Sequence, residues 1–483
     1  MRNRRIAFIF FTFALMTLAS CGGSSGSSNN PGGSSSTSSS SNSASSSGSP
    51  TAVAEETLPR IEINTLGNTI PDEPKVNATM TVTDYVIGEL PITDFSGSIG
   101  IEMRGSSSQY YFDKKNYGIE LRDSSGADMD ASILGFPEEE DWVLHGPYSD
   151  KSLLRNTLMF DIGQEFGRYA SRWKYLELYL NNQYMGVYVL LEKIKRDDNR
   201  VDISNLKEDD NEGEELSGGY IIKLDKTNGE HAGNPGAYDL YTDNMSFQSS
   251  HNTGFNTYRP HFIYHQPKPA DISEQQKTYI QDYINAFEDS LASDSFADET
   301  LGYRNYINVD SFVDYFIATE ISGNVDGYRL STFLVKDKNE KLAMGPLWDY
   351  NLAFGNADYC NGWEYNLWVY LGEERCEGGA FPIPFWWARL LQDDYFVGLL
   401  KSRWTALRST ALSDAALEEK INSKANYLKA TGAANRNFDR WDTLGMYIWP
   451  NYYVGFTYDE EVNTVKTWLN NRMSWLDNEI ENL

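Results

Sequence analysis

Residues 324–356, the stretch that decides the fold, read NVDGYRLSTFLVKDKNEKLAMGPLWDYNLAFGN. Asp326 follows an apolar stretch with helical spacing, and Asp349 comes 349 − 326 = 23 residues later, directly after a tryptophan. Between them, residues 332–335 and 341–344 have the composition of two short strands around the turn-forming run KDKNE. We therefore predict a β-hairpin with a carboxylate at each end, an arrangement that suits cation binding or acid–base chemistry.

Strand patterns dominate the first half of the chain and helical patterns the second half. Between residues 58 and 121, apolar residues alternate with polar ones, as in half-buried strands. Residues 173–180 and 186–191 are apolar on both faces and joined by Asn-Asn-Gln, which predicts a hairpin of central strands. Residues 218–226 predict another strand. Helical spacing predicts helices over 273–293, 309–322 and most of 385–483. This order predicts an α+β fold with a β-rich N-terminal part and a mainly helical C-terminal part.

A further helix is predicted after Asp150, which is placed to cap its first turn. Apolar residues recur every fourth position from Leu154 to Phe166, so one stripe of this helix faces a core. Arg155 and Asn156 lie at its start. We expect them either to brace a nearby site or to touch its ligand.

The first 21 residues resemble the signal peptide of a bacterial lipoprotein. Three arginines precede an apolar run that is too short to span a membrane, and Leu-Ala-Ser before Cys21 resembles a lipobox. We expect cleavage before Cys21 and lipidation of its thiol; the alternative is an ordinary signal peptide. Residues 22–55 are rich in Ser, Gly and Asn and predict a disordered tether, so residues 56–483 form the globular domain. The protein would then be lipid-anchored in the cell envelope, facing the periplasm or the exterior.

Charge and cysteine content narrow the possible functions. The formal net charge is −28, which argues against nucleic acid or anionic lipid surfaces as partners. The five histidines show no H-E-x-x-H motif, so we expect no catalytic zinc. Besides Cys21, only Cys360 and Cys376 remain, and in an oxidising compartment such a pair predicts a disulfide.

The two aspartates of the hairpin fit the requirements of phosphoryl transfer. That reaction needs a loop over the phosphates, a lysine for their charge, a carboxylate that holds Mg²⁺ and a second carboxylate that orients the attacking hydroxyl. In protein kinases the two carboxylates flank a short hairpin, with the hydroxyl-facing aspartate first. Asp326 and Asp349 have this order.

The remaining parts of such a site are found upstream. A small-residue loop at 105–108 precedes Lys114 and Lys115 at the entry to a predicted strand. Glu192 ends another predicted strand, and we expect it to pair with one of these lysines.

Several blocks in this order resemble the CotH family, the spore coat protein H-like kinases, over roughly residues 57–480. The blocks are RGSSSQYYFDKKNYGIEL (104–121), DWVLHGPYSDKSLLRNTLMFDIG (141–163), YLELYLNNQYMGVYVLLEKI (175–194), EISGNVDGYRLSTFL (320–334) and GPLWDYNLAFGN (345–356).

The resemblance implies an atypical protein-kinase-like fold that uses ATP and a divalent metal, Mg²⁺ or Mn²⁺, to phosphorylate Ser or Thr of proteins. It implies that Asp326 is the catalytic aspartate and that Asp349 binds the metal. Five residues after the catalytic aspartate, where kinases have a second metal-binding asparagine, this chain has Ser331. We therefore expect Asn351 to provide that ligand. The implied nucleotide-binding residues are Arg104, Ser106, Ser107, Lys114, Lys115 and Glu192. The expected partner is a protein substrate at the cell surface or in the envelope.

Two other classes of function stay open. One is a glycan-binding or glycan-active surface lipoprotein, with Asp326 and Asp349 as its carboxylate pair and the abundant aromatic residues as stacking platforms. The other is a catalytically inactive scaffold for surface or coat assembly that keeps the fold.

Overall fold

The computed structural model describes residues 57–227, 241–252, 257–376 and 381–483. The predicted signal peptide, the lipidation site Cys21 and the tether at 22–55 lie outside the described residues. Among the helices that are described, none is both long and apolar enough to cross a membrane. The chain combines a β-rich N-terminal part with a C-terminal part dominated by helices, as the order of the sequence patterns predicts.

Seven strands close into a barrel in the N-terminal part, in the order β1-β2-β3-β4-β5-β7-β6. They are β1 Arg60–Asn64, β2 Val76–Asp84, β3 Ile92–Arg104, β4 Asn116–Arg122, β5 Asp141–His145, β6 Trp173–Leu180 and β7 Gln183–Glu192. The barrel closes where β1 pairs in parallel with β6. The predicted hairpin is present, but its turn consists of Asn181 and Asn182 alone, with φ of 50° and 65°, and Gln183 already belongs to β7. The alternating apolar residues of the strands fill the barrel interior.

A second sheet has the order β12-β11-β8-β10-β9. Its strands are β8 Tyr220–Leu224, β9 Ser246–Gln248, β10 His261–Gln266, β11 Thr332–Lys336 and β12 Ala343–Met344. The predicted hairpin is confirmed as β11 and β12, although β12 has only two residues. Because β11 runs antiparallel to β8, with Thr332 opposite Leu224, the chain that leaves β8 passes beside the loop that enters β11.

The helices carry most of the second half of the chain. They are α1 Ser107–Tyr111, α2 Arg155–Gln164, α3 Gly213–Leu216, α4 Glu274–Ala292, α5 Val309–Ser322, α6 Trp386–Leu390, α7 Asp394–Arg408, α8 Asp414–Ala430, α9 Ala433–Arg440 and α10 Tyr458–Glu481. Helix α5 is buried along almost its whole length, and its buried residues include the charged side chains of Asp314 and Glu320. Gly323 ends it in the left-handed conformation, three residues before Asp326.

The start of α2 is held by Asp150, as predicted, although Leu154 takes the position directly before the helix. The Asp150 carboxylate accepts from the backbone N–H of Arg155 at 2.8 Å and from its guanidinium at 2.5 Å. The Arg155 guanidinium also donates to the carbonyl of Ala353 at 2.9 Å. Helix α2 is thereby connected to the segment that follows Asp349.

A buried ion pair joins α5 to the C-terminal helix α10. Arg472 and Glu320 are 2.9 Å apart, and each side chain is 1% exposed. The Glu320 carboxylate also accepts from the backbone N–H groups of Val369 and Tyr370 and from the hydroxyl of Tyr328. Desolvation raises the pKa of Glu320 and lowers the pKa of Arg472 to about 10. The pair therefore depends on its mutual attraction and on its full set of hydrogen bonds.

Removal of the cation from this pair should destabilise the protein strongly. In Arg472→Met, Glu320 stays buried without its partner, and we expect a loss of about 3–5 kcal/mol in the free energy of unfolding. Lys429→Met breaks the exposed pair with Asp459 and should cost at most about 1 kcal/mol. Urea unfolding of both variants measures the difference, and equal losses would contradict the role of the buried pair.

Candidate active site

One cavity of about 730 Å³ gathers most of the predicted site residues. The loop after β3, the end of β5, the segment after α5 and the segment after β12 contribute to its walls. The predicted residues that line it are Arg104, Ser106, Ser107, Asp326, Asp349, Asn351, Cys360 and Cys376. The sequence thus predicted correctly that the two aspartates meet, whereas their chemical roles stay predictions.

Asp326 is held through one of its two carboxylate oxygens. Its Oδ1 accepts from the Arg329 guanidinium at 3.1 Å and from the Tyr359 hydroxyl at 3.4 Å. Its Oδ2 accepts no hydrogen bond from any residue in the described ranges. The carboxylate is therefore oriented and keeps one oxygen available to a ligand.

Asp349 lines the cavity as an exposed residue. Its backbone has φ of 65°, a left-handed conformation that aspartate adopts more readily than most residues. Water reaches the side chain through the cavity, but protein surrounds it, and this desolvation together with the charge of Asp326 raises the pKa of Asp349 to about 6. Lys226 and Arg104 act in the opposite direction, since both favour the ionised carboxylate.

Asn324 connects the two aspartate segments. Its amide Nδ2 donates to the backbone carbonyl of Asp349 at 3.2 Å, and its Oδ1 accepts from the backbone N–H of Asp326 at 3.2 Å. The residue is 4% exposed. One side chain thus sets the spacing between the two carboxylates. Sequence reasoning missed it because an asparagine after a helix is an ordinary turn residue.

Asn156 and Arg155 brace the site from the start of α2. Asn156 accepts from the backbone N–H of Tyr350 at 2.6 Å, and its amide lies 3.1 Å from the ring Nε2 of His145 at the end of β5. Of the two roles considered for Arg155, bracing is the one its hydrogen bonds to Asp150 and Ala353 support.

Lys114 and Lys115 do not reach the cavity. Lys114 is fully buried, and its amine donates to the carbonyls of Val187 and Pro147 and to the side-chain oxygen of Asn437 on α9. The Lys115 amine donates to the carbonyls of Gln109 and Phe112. These hydrogen bonds contradict the predicted phosphate contact, because they hold both amines within the protein framework.

Glu192 pairs with arginine instead of either lysine, so the predicted lysine pair is wrong. Its carboxylate accepts from Arg172 at 2.6 Å, and Arg200 lies 4.0 Å away. The reason is the strand register. Trp173 of β6 lies opposite Leu191 of β7, which brings Arg172 directly beside Glu192. Glu192 does not line the cavity.

Lys226 is the lysine that the cavity does contain. It lies two residues after β8, and its Nζ donates to the Ser107 hydroxyl at 3.2 Å. The sequence carried only a weak signal for it, a lysine after a buried strand, because its position depends on the pairing of β8 with β11.

The predicted disulfide between Cys360 and Cys376 is present at the cavity wall. Cys360 directly follows Tyr359, which contacts Asp326, and Cys376 directly follows Arg375, another cavity residue. The crosslink therefore joins two segments of the same wall.

The donors in the cavity fit a hard divalent cation. The Asp349 carboxylate and the Asn351 side-chain amide, two residues apart, both line it and offer the oxygen ligands that Mg²⁺ and Mn²⁺ prefer. A second carboxylate group, Asp130 with Glu139 and Glu140, is outside the cavity. The ammonium of Lys195 already bonds to Glu139 and Glu140, so that group has its cation.

The raised pKa of Asp349 predicts that the free energy of unfolding depends on pH. Its pKa of about 6 lies above the ordinary value of 3.8, so the native state disfavours its ionised form, and its contribution to stability is lost as the pH rises through 6. At pH 7.5 and without ligand, Asp349→Asn should gain about 1 kcal/mol, after allowance for the water in the cavity. The gain should vanish towards pH 4.

Thermal unfolding between pH 4 and 8 measures this effect. Asp282→Asn, at an exposed position on α4, is the control and should show no such pH-dependent difference from the unaltered protein. A stability gain in Asp349→Asn that is constant across this range would contradict the assigned pKa.

Two comparisons with known proteins bear on the family of the chain. No curated protein matches the chain. A family model described as CotH kinase protein matches residues 101–476, which covers more than half of the chain and includes both aspartates. The chain belongs to the CotH kinase protein family.

Proposed function

We propose that this chain is a metal-dependent protein kinase of atypical kinase-like fold. It transfers phosphate from ATP to Ser or Thr hydroxyls of secreted or surface proteins, and a lipid on Cys21 holds it in the cell envelope. The observation that carries the proposal is the meeting of Asp326 and Asp349 in one cavity of about 730 Å³. Nucleotide-sized ligands occupy pockets of about 300–1,000 Å³.

The charges of the cavity favour a polyphosphate over a neutral glycan. Arg104, Lys226, Arg329 and Arg375 all line it, together with Asp150, Asp326 and Asp349. A cavity with several cations lowers the free energy of an anionic ligand, whereas a neutral sugar gains little from them. The apolar side chains of Val143, Phe160 and Leu191 supply a wall for the nucleobase.

Asp326 acts on the acceptor in this mechanism. Its free Oδ2 accepts a hydrogen bond from the Ser or Thr hydroxyl, while Arg329 and Tyr359 hold Oδ1 and fix the plane of the carboxylate. The hydroxyl oxygen forms a bond to the γ-phosphorus as the bond from that phosphorus to the bridging oxygen of ADP breaks. The hydroxyl proton passes to Asp326.

Asp349 and Asn351 act on the phosphate side. Their oxygens would hold Mg²⁺ or Mn²⁺, which supplies charge compensation for the phosphate oxygens. Asn324 keeps this pair at a fixed distance from Asp326 through its two backbone hydrogen bonds. The hairpin segment would thus orient both the ATP phosphate and the acceptor hydroxyl.

Substitution of the two aspartates should have different effects on ATP binding and on phosphate transfer. Asp349→Ala should lose metal-dependent ATP binding, because the phosphate charge is left uncompensated. Asp326→Ala should bind Mg²⁺–ATP nearly normally yet transfer phosphate about 10²–10⁴-fold more slowly, the usual effect of a positioned general base. Calorimetric titration measures binding, and transfer of labelled phosphate to a mixed Ser/Thr peptide pool measures turnover.

Asp282→Ala on the exposed side of α4 is the control and should change neither quantity. Equal losses of Mg²⁺–ATP affinity in both active-site variants would contradict the assigned roles. Stabilisation of the unaltered protein by oligosaccharide, with none by ATP and Mg²⁺, would instead support a glycan-binding function.

A further inference from the structure

Positive charge for the phosphates must come from side chains other than the paired lysines after the 105–108 loop. Lys114 makes three hydrogen bonds to protein oxygens and Lys115 makes two, and neither lines the cavity. Reorientation of Lys114 would leave its three acceptors buried without a donor, which is costly.

Lys226 is positioned to provide positive charge for the phosphates. Its amine donates to Ser107 in the small-residue loop, it lines the same cavity as the candidate metal ligand Asp349, and its charge favours the ionised form of that carboxylate. Within the described ranges it forms no ion pair with any carboxylate. An ammonium with a single neutral partner keeps two donors for ligand oxygens.

Arg104, the last residue of β3, is the second candidate for a phosphate contact in this cavity. It lines the cavity, its side chain makes no hydrogen bond or ion pair with the described residues, and its charge also favours the ionised form of Asp349. The residue is half-buried, and desolvation lowers the pKa of its guanidinium. A phosphate oxygen would supply the missing acceptor.

We propose that Lys226 and Arg104 form the phosphate-binding pair of this protein, with Lys226 in the role that sequence comparison with kinases gives to Lys114 or Lys115. The ligand class is the polyphosphate of a nucleotide, bound between the Ser106–Ser107 loop and Asp349. The inference rests on the proposed function only for the identity of the nucleotide. It concerns binding, so it can be tested without phosphate transfer.

The test compares a ligand that carries phosphates with one that does not. Lys226→Met should weaken Mg²⁺–ATP about 10–100-fold, the usual effect of one lost charge-assisted hydrogen bond, and leave adenosine within about twofold. Arg104→Gln should show the same difference between the two ligands. Lys226→Arg should recover part of the ATP affinity, because it keeps the charge.

Two lysine variants serve as controls. Lys268→Met, at an exposed position outside the cavity, should leave both affinities unchanged. Lys114→Met should lower the melting temperature while the ratio of ATP to adenosine affinity stays unchanged. Calorimetric or NMR titration gives the affinities, and thermal unfolding checks that each variant is folded.

The following results would support or overturn the phosphate-binding role of Lys226. Normal ATP affinity in Lys226→Met, or equal weakening of ATP and adenosine, would overturn the phosphate-binding role. ATP binding by the unaltered protein that depends on Lys226 but leads to no phosphate transfer would support this inference and count against the kinase proposal. An unaltered protein without affinity for Mg²⁺–ATP would overturn both.

Discussion

The buried ion pair between Glu320 and Arg472 fixes the segment that carries Asp326. Glu320 lies on α5 six residues before Asp326, and its carboxylate also accepts from Tyr328, two residues after that aspartate. The same carboxylate accepts from the backbone of the segment at 369–370. One desolvated charge pair therefore fixes the chain on both sides of Asp326, so the acidic loop has little freedom to relax when like charges approach it.

The central part of this arrangement could be predicted from the sequence because it is local. A helix, a short hairpin and the residues at their ends are encoded within one continuous segment, residues 309–356, so the pattern alone brings Asp326 and Asp349 to the same place. The β-rich and helical halves follow from periodicity in the same way. Local patterns also predicted the hairpin of β6 and β7 and the cap of α2, where a short side chain determines the backbone geometry.

Side chains whose surroundings come from distant segments could not be predicted. Lys114 is buried because Asn437, 323 positions away, packs against it, and no local pattern records that contact. Lys226 reaches the cavity because β8 pairs with β11. The Glu192 ion pair was also beyond prediction, because Arg172 comes to lie beside it only through a shift in the strand register between Leu178 and Tyr179.

We propose that Asp326, Asp349 and the cations beside them form one metal–nucleotide centre. Anomalous diffraction from crystals grown with Mn²⁺ and a non-hydrolysable ATP analogue tests it most directly, because manganese is located independently of the surrounding protein. The account predicts a manganese peak at the Asp349 carboxylate, phosphates between it and the Ser106–Ser107 loop, and an empty path from the γ-phosphate to Oδ2 of Asp326. Manganese bound away from Asp349, or a nucleotide outside this cavity, would contradict it.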